Sequence, residues 1–155
     1  VQGDEPLIPS RLIKQVAAEI NQENEVVTLC ERITSVEDFL DNNVVKVVRD
    51  HKHQALYFSR APIPCAPGVP KYESIDNFSS ECLRHVGIYG YTFRQLENYV
   101  RSEPCDLELI EKLEQLRMLV YGIRIKVVEG VVDSPRGVDS AEDVRRVDCQ
   151  LREEK

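Results

Sequence analysis

Hydrophobic periodicity switches repeatedly between a helical and a strand repeat along this chain, and that switching restricts it to the α/β class. Leu12, Ile13, Val16, Ala17 and Ile20 recur at helical spacing behind the start signals Pro9 and Ser10. Residues 26–29 then form a short apolar strand, and residues 35–38 (Ser-Val-Glu-Asp) have the outline of a capping box for a brief helix. The β-rich runs 44–48 and 55–58 flank residues 50–53, which predicts a hairpin with an exposed tip. Pro62, Pro64, Pro67 and Pro70 impose a loop running to about Asn77. A strand is expected over 85–91, a helix near 93–100, and a longer helix over about 106–120 that ends close to Gly122, a suitable C-cap. Residues 123–128 read as a last strand, and Ser140 is placed to cap a terminal charged helix. The expectation is one α/β domain over residues 1–155 with at least one antiparallel hairpin.

Bulk properties narrow the function classes. The net charge of −7 argues against a nucleic-acid binder, which needs a basic footprint to displace counterions. It leaves room for a nucleotide managed by a local site and a bound cation. No apolar run approaches the ~20 residues of a membrane span, and no signal-peptide pattern is visible, so a soluble chain without membrane partners is expected. Cys30, Cys65, Cys82, Cys105 and Cys149 are odd in number and never spaced C-x-x-C. They read as reduced thiols of a cytosolic protein.

Some residues carry more than packing information. In residues 84–91, RHVGIYGY, the strand alternation puts His85, Gly87, Tyr89 and Tyr91 on one face, and Val86, Ile88 and Gly90 on the other. His and Tyr around a glycine leave room for a polar ligand; a half-exposed strand face would look the same. In the helix expected over 106–120, Leu107, Ile110, Leu113, Leu116 and Val120 make an apolar arc. Glu114 falls at its edge, an inward carboxylate that needs either a structural partner such as an arginine or the hydroxyls of a ligand. Gln115 beside it offers both a donor and an acceptor. Arg60 ends a strand just before the proline loop, where its planar fork suits a carboxylate or a phosphate. His51 and His53 lie at the expected hairpin tip and read as solvated rather than metal-binding.

At the opening VQGDEP, Asp4 and Glu5 follow a strand end; Asp139 sits similarly in Gly137-Val-Asp139-Ser140. Turn chemistry and helix-terminus electrostatics account for such carboxylates without function. Two of them converging at one sheet edge could instead hold magnesium. No Gly-rich phosphate loop of the G-x-x-x-x-G-K or G-x-G-x-x-G kind is present.

Taken in order, VQGDEP, VVKVVRD, ALYFSRAPIP, RHVGIYGY, LEQLRMLVYG and GVDSAEDVRRV resemble the 3-deoxy-manno-octulosonate (Kdo) cytidylyltransferases, which make CMP-Kdo. The resemblance covers most of residues 1–148, more loosely over 30–43, 66–80 and the C-terminal CQLREEK. It implies a Rossmann-like nucleotide-diphospho-sugar transferase fold with a mixed sheet and a β-hairpin insertion. It further implies a cytoplasmic, usually dimeric enzyme that joins CTP to Kdo with release of pyrophosphate for lipopolysaccharide assembly. By the same resemblance Asp4 and Asp139 are the magnesium carboxylates, and Gln2, Arg60, His85, Tyr89, Glu114 and Gln115 line the sugar site. Ala141 departs from the proline that the family often has after the Asp motif. The family's N-terminal nucleotide-binding half, with its basic Pro-Ala-Arg loop, has no counterpart here, so residues 1–155 are expected to be the C-terminal portion of such a domain. On that expectation the chain alone binds CTP poorly. Alternatives are another sugar-acid cytidylyltransferase, such as a sialic acid one, and a non-catalytic binding or dimerisation module.

Overall fold

The computed structural model describes residues 3, 6–65, 79–135, 137–138, 144–145 and 147–149. The apolar stripe near the N-terminus makes α1 (Ser10–Glu19), whose Leu12 and Val16 are buried. Five consecutive buried residues open β1 (Val26–Arg32), because both faces of this strand are covered. Val27 and Leu29 pack with Leu12 and Val16 of α1. Val26 and Cys30 belong instead to the main core, with Phe58, Leu83, Leu113, Leu116, Met118 and Val127. The architecture is therefore a sheet between α1 on one face and the later helices on the other.

The expected short helix is α2 (Val36–Leu40), capped by the Ser35 hydroxyl, which accepts the Asp38 N–H at 3.0 Å. Strands β2 (Lys46–Arg49) and β3 (Ala55–Ser59) pair as the antiparallel hairpin. Its turn is held by the Asp50 carboxylate, which accepts the N–H groups of Lys52 and Gln54, both at 2.8 Å. After a 3₁₀ turn at Ser79–Glu81 come β4 (Leu83–Tyr91) and α3 (Phe93–Arg101), the latter capped by Thr92. The sheet closes with β5 (Lys126–Glu129) in the order β3-β2-β4-β1-β5. Among the described residues β1 and β5 pair in parallel and the other strand pairings are antiparallel, so the sheet is mixed. Among the described residues no helix is long and apolar enough to cross a membrane.

The single helix expected over 106–120 is two helices, α4 (Asp106–Glu111) and α5 (Gln115–Val120). Lys112 between them adopts a left-handed conformation (φ 56°). The break resets the helical phase. Leu113, Leu116 and Met118 reach the core, whereas Leu107, Ile110 and Val120, assigned to the same arc by an unbroken 3.6-residue repeat, are exposed. Gly122 does end α5 in a positive-φ conformation (φ 75°), with the N–H of Ile123 bonded to the Met118 carbonyl at 2.9 Å.

Pairing of β1 with β4 is irregular. Thr28 faces Tyr89, but the next residue, Leu29, faces Val86, so Gly87 and Ile88 are extra on β4. Two extra residues preserve the alternation, and the expected division of faces holds: Tyr89 and Tyr91 pack on the main core, Val86 and Ile88 against α1. Gly90 lets α1 approach closely, since a Cβ there would meet Ile20 Cδ1 and come within 2.8 Å of Val16 Cγ1. Gly90→Ala should therefore overpack this contact and cost about 1–3 kcal/mol. Urea denaturation checks it; an unchanged midpoint would show that α1 yields freely.

Candidate functional site

Strand β4 delivers a file of rings to the sheet face that carries α4 and α5. Phe58 of β3 meets His85 edge-on at a centroid distance of 5.1 Å. His85 is 5.3 Å from Tyr89, and Tyr89 stacks on Tyr91 at 5.7 Å. The buried Thr28 hydroxyl bonds the Ile88 carbonyl at 2.7 Å and His85 Nε2 at 3.0 Å. A hydroxyl has one proton. With that proton directed to the Ile88 carbonyl, Nε2 carries the imidazole hydrogen and Nδ1 is left as an acceptor, a tautomer assigned from the network. Burial, aided by the positive charge of Arg84, pushes the His85 pKa down to about 3, so the ring is neutral.

Tyr89 is the unsatisfied member of the file. Its hydroxyl is buried near Thr28, yet no described residue meets it with hydrogen-bond geometry. Burial first, then the neighbouring Tyr91 and Glu114, hold its pKa well above 10. Tyr91 and Tyr99 are raised as well, again chiefly by burial. The Glu114 carboxylate contributes to the rise at all three tyrosines, so it lies within electrostatic reach of them.

The expectation that Glu114 points inward is corrected: Glu114 is exposed, and its neighbour Gln115 is the buried one. The cause is the break at Lys112, which shifts the helical phase that placed Glu114 on the apolar arc. Arg117 fastens the three helices around this corner. It forms a bidentate pair with Glu108 (2.7 and 2.5 Å), donates to the Ser102 carbonyl at 3.1 Å and lies 4.8 Å over the Tyr99 ring. Thr28, Tyr99 and Arg117 have no sequence signature of a site; topology alone brings them together.

Arg60 lies just past β3, with Nε donating to the Glu111 carbonyl at 2.9 Å and Nη1 to the Asn42 carbonyl at 3.1 Å. Gln2, Asp4 and Asp139 lie outside the described residues, as do Glu5, Ser140 and Ala141. Among the described residues no group of three or more His, Cys, Asp or Glu side chains could hold a metal ion. His51 and His53 are exposed at the hairpin tip.

A cleft of about 470 Å³ opens at the carboxyl ends of the parallel strands β1 and β5, where open α/β sheets place ligands. Its wall includes Glu31, Arg32, Arg84, Glu129 and Ser134. Arg84 pairs with Glu31 at 2.6 Å and Arg32 with Glu129 at 3.0 Å. The Ser134 N–H donates to Glu31, and its carbonyl accepts from Arg84 at 2.8 Å.

Comparison with known proteins decides the family. The family model described as cytidylyltransferase matches residues 1–125. This chain belongs to the cytidylyltransferase family. A relative from Alcanivorax borkumensis named 3-deoxy-manno-octulosonate cytidylyltransferase is 43% identical over 153 residues, 97% of this chain and 61% of its own. One of the same name from Francisella tularensis subsp. novicida is 45% identical over 149 residues, 95% of this chain and 59% of its own. Among solved structures, CMP:2-keto-3-deoxy-manno-octonic acid synthetase complexed with CTP superposes with a TM-score of 0.84 at 34% identity, covering 100% of this chain and 61% of that one. The chain thus spans about three fifths of the length of the relatives it matches. The α/β nucleotidyltransferase fold expected from the resemblance is the fold found.

The neutral His85 has a measurable signature. Its pKa falls from about 6.5 in the unfolded chain to about 3 in the fold, so the unfolded state binds the proton more readily. The stability this contributes is complete above pH 6.5 and is lost as pH falls toward 3, with a slope of at most about 1.4 kcal/mol per pH unit. Between pH 6.5 and 5, above most carboxylate titrations, His85→Gln should flatten the loss of stability seen by chemical denaturation. An equal slope in both proteins would place the titration elsewhere.

Proposed function

We propose that this chain forms the sugar-acid part of a Kdo cytidylyltransferase, which joins CTP and Kdo to give CMP-Kdo and pyrophosphate for lipopolysaccharide assembly. One observation carries the reading to this site: the buried Tyr89 hydroxyl lacks a partner among the described residues. A buried hydroxyl left unbonded costs ~1–3 kcal/mol, and a polyhydroxylated ligand would remove that cost. The His85 ring lies 5.3 Å from the Tyr89 ring and the Glu114 carboxylate acts electrostatically on the Tyr89 hydroxyl; with Gln115 they are read as further groups for sugar hydroxyls. The names of the relatives and the CTP complex of the structural neighbour support both substrates.

In the reaction the anomeric hydroxyl oxygen of Kdo bonds to the α-phosphorus of CTP, the bond from that phosphorus to the departing pyrophosphate breaks, and the hydroxyl proton is released. A histidine with a pKa of about 3 is a weak base, so His85 serves to hold a hydroxyl in place rather than to remove its proton. Orientation against a rigid strand is the contribution of Tyr89 and His85. Asp4, Asp139 and Gln2 enter the reading on the resemblance alone. Two carboxylates suit a hard cation, and magnesium held by Asp4 and Asp139 would supply neutralisation of phosphate charge.

Assembly as a homodimer and a cytoplasmic location complete the reading. Phe93, Leu96 and Val100 recur along an exposed stripe of α3, which is apolar surface suited to a partner. The cysteines of the described residues are free thiols, as in a reducing compartment.

The test is CMP transfer by the intact protein, with Kdo and sialic acid offered as competing acceptors. Kdo should be the substrate used; transfer to sialic acid alone would reject the reading. Tyr89→Phe should raise the KM for Kdo about 2- to 10-fold with little change for CTP, the effect of a lost hydrogen bond of ~0.5–1.5 kcal/mol. The same variant should be no less stable than the parent without ligand, because it removes an unsatisfied buried hydroxyl. Glu114→Gln should be the more damaging, since a bond to a charged group is worth ~1.5–3 kcal/mol. A variant that lost CTP use first would move these side chains out of the sugar site.

A further inference from the structure

Lys46, at the start of β2, is wholly buried. Its Nζ donates to the carbonyls of Asp41 at 2.8 Å, Val44 at 2.6 Å and Arg60 at 2.6 Å. These three bonds use all three protons of an ammonium group, and a neutral amine would leave one carbonyl without a donor. Burial draws the Lys46 pKa down, and the Arg60 charge adds to that effect, while Asp41 and Glu111 oppose it. Among the described residues no carboxylate lies within ion-pair distance of the group. A methionine would fill the space without this desolvation, so packing alone does not account for a cation here.

The three carbonyls share a destination. Asp41 and Val44 flank Asn42, whose carbonyl accepts Nη1 of Arg60 at 3.1 Å. The third carbonyl belongs to Arg60 itself. Lys46 therefore holds Arg60 twice, directly through its backbone and indirectly through the segment that receives its guanidinium. Glu111 completes the cradle. Its carboxylate accepts the Arg60 N–H at 3.0 Å and the Ser59 hydroxyl at 2.7 Å, and its own carbonyl accepts Arg60 Nε at 2.9 Å.

We propose that Lys46 is a positioning residue that fixes Arg60 at both backbone and guanidinium and so sets the affinity of the site for the anionic sugar acid. The proposal rests on reading Arg60 as part of that site. Lys46 touches no substrate; it acts through Arg60.

Lys46→Gln keeps two donors and is the gentler variant, with Lys46→Met removing all three. In the intact protein Lys46→Gln should raise the KM for Kdo about tenfold, as expected for a weakened charged contact, while the KM for CTP stays within about twofold. Adding it to Arg60→Ala should produce no further rise, because the two changes remove one interaction. In ¹⁵N-labelled protein without substrate, the Arg60 Nε–H resonance should shift and exchange faster in Lys46→Gln. An unchanged KM for Kdo in folded Lys46→Gln, a multiplicative double mutant, or an unmoved Arg60 resonance would each overturn the proposal. So would Arg60→Ala with a normal KM for Kdo in an otherwise active protein, which would leave the functional reading intact. If the parent protein transferred no CMP to Kdo, that reading would fall and the claim on sugar affinity with it. The Arg60 resonance would still decide whether Lys46 positions the arginine.

Discussion

The hydroxyl of Thr28 fixes the register on which the rest of the structure depends. Strand β4 lies between β2 and β1, so its alignment sets the position of every ring in the file. Thr28 fills the irregularity opposite Gly87 and Ile88 by bonding the Ile88 carbonyl, with the Val86 carbonyl further off at 3.3 Å. A single extra residue would have turned His85 away from Tyr89. Two extra residues return the strand to phase and leave a local widening in which the imidazole reaches Thr28. Valine has the same shape but would remove both the donor to Ile88 and the acceptor for Nε2–H.

Much of this arrangement was legible in the sequence because it follows from period. The alternation of 84–91 was enough to put His85 and Tyr89 on one face, and the turn residues 50–53 were enough to place the hairpin. The misplacement of Glu114 has a different origin. A run of leucines at 3.6 spacing gives no sign that Lys112 will leave the helical region, since lysine has no special preference for left-handed backbone. The tie between Glu111 and the end of β3 is long-range, joining residues 51 and 52 positions apart. Such a contact can be read only once the fold is known. The same holds for Lys46, whose sequence neighbours suggest an ordinary strand residue with one face in solvent.

The site combines a rigid frame with incompletely satisfied polar groups. Arg117 and Lys46 are cations whose hydrogen bonds run to the protein itself, and they hold helices and loops in place. His85 is neutral by burial, and Tyr89 keeps its proton to high pH for the same reason. In a chain of net charge −7, His85 and Tyr89 thus offer hydrogen-bonding groups that add no further negative charge.

The exit from β5 carries a constraint of another kind. Glu31 and Arg84 bond to each other and also take up both backbone groups of Ser134, one each. Changing either residue alone would strand its partner's charge in a partly buried place and release one peptide group of the chain beyond β5. Neutral drift at one position is therefore closed unless the other changes with it. Over evolutionary time the pair should behave as a single character, replaced together or retained together, although the two residues lie on different strands and 53 positions apart.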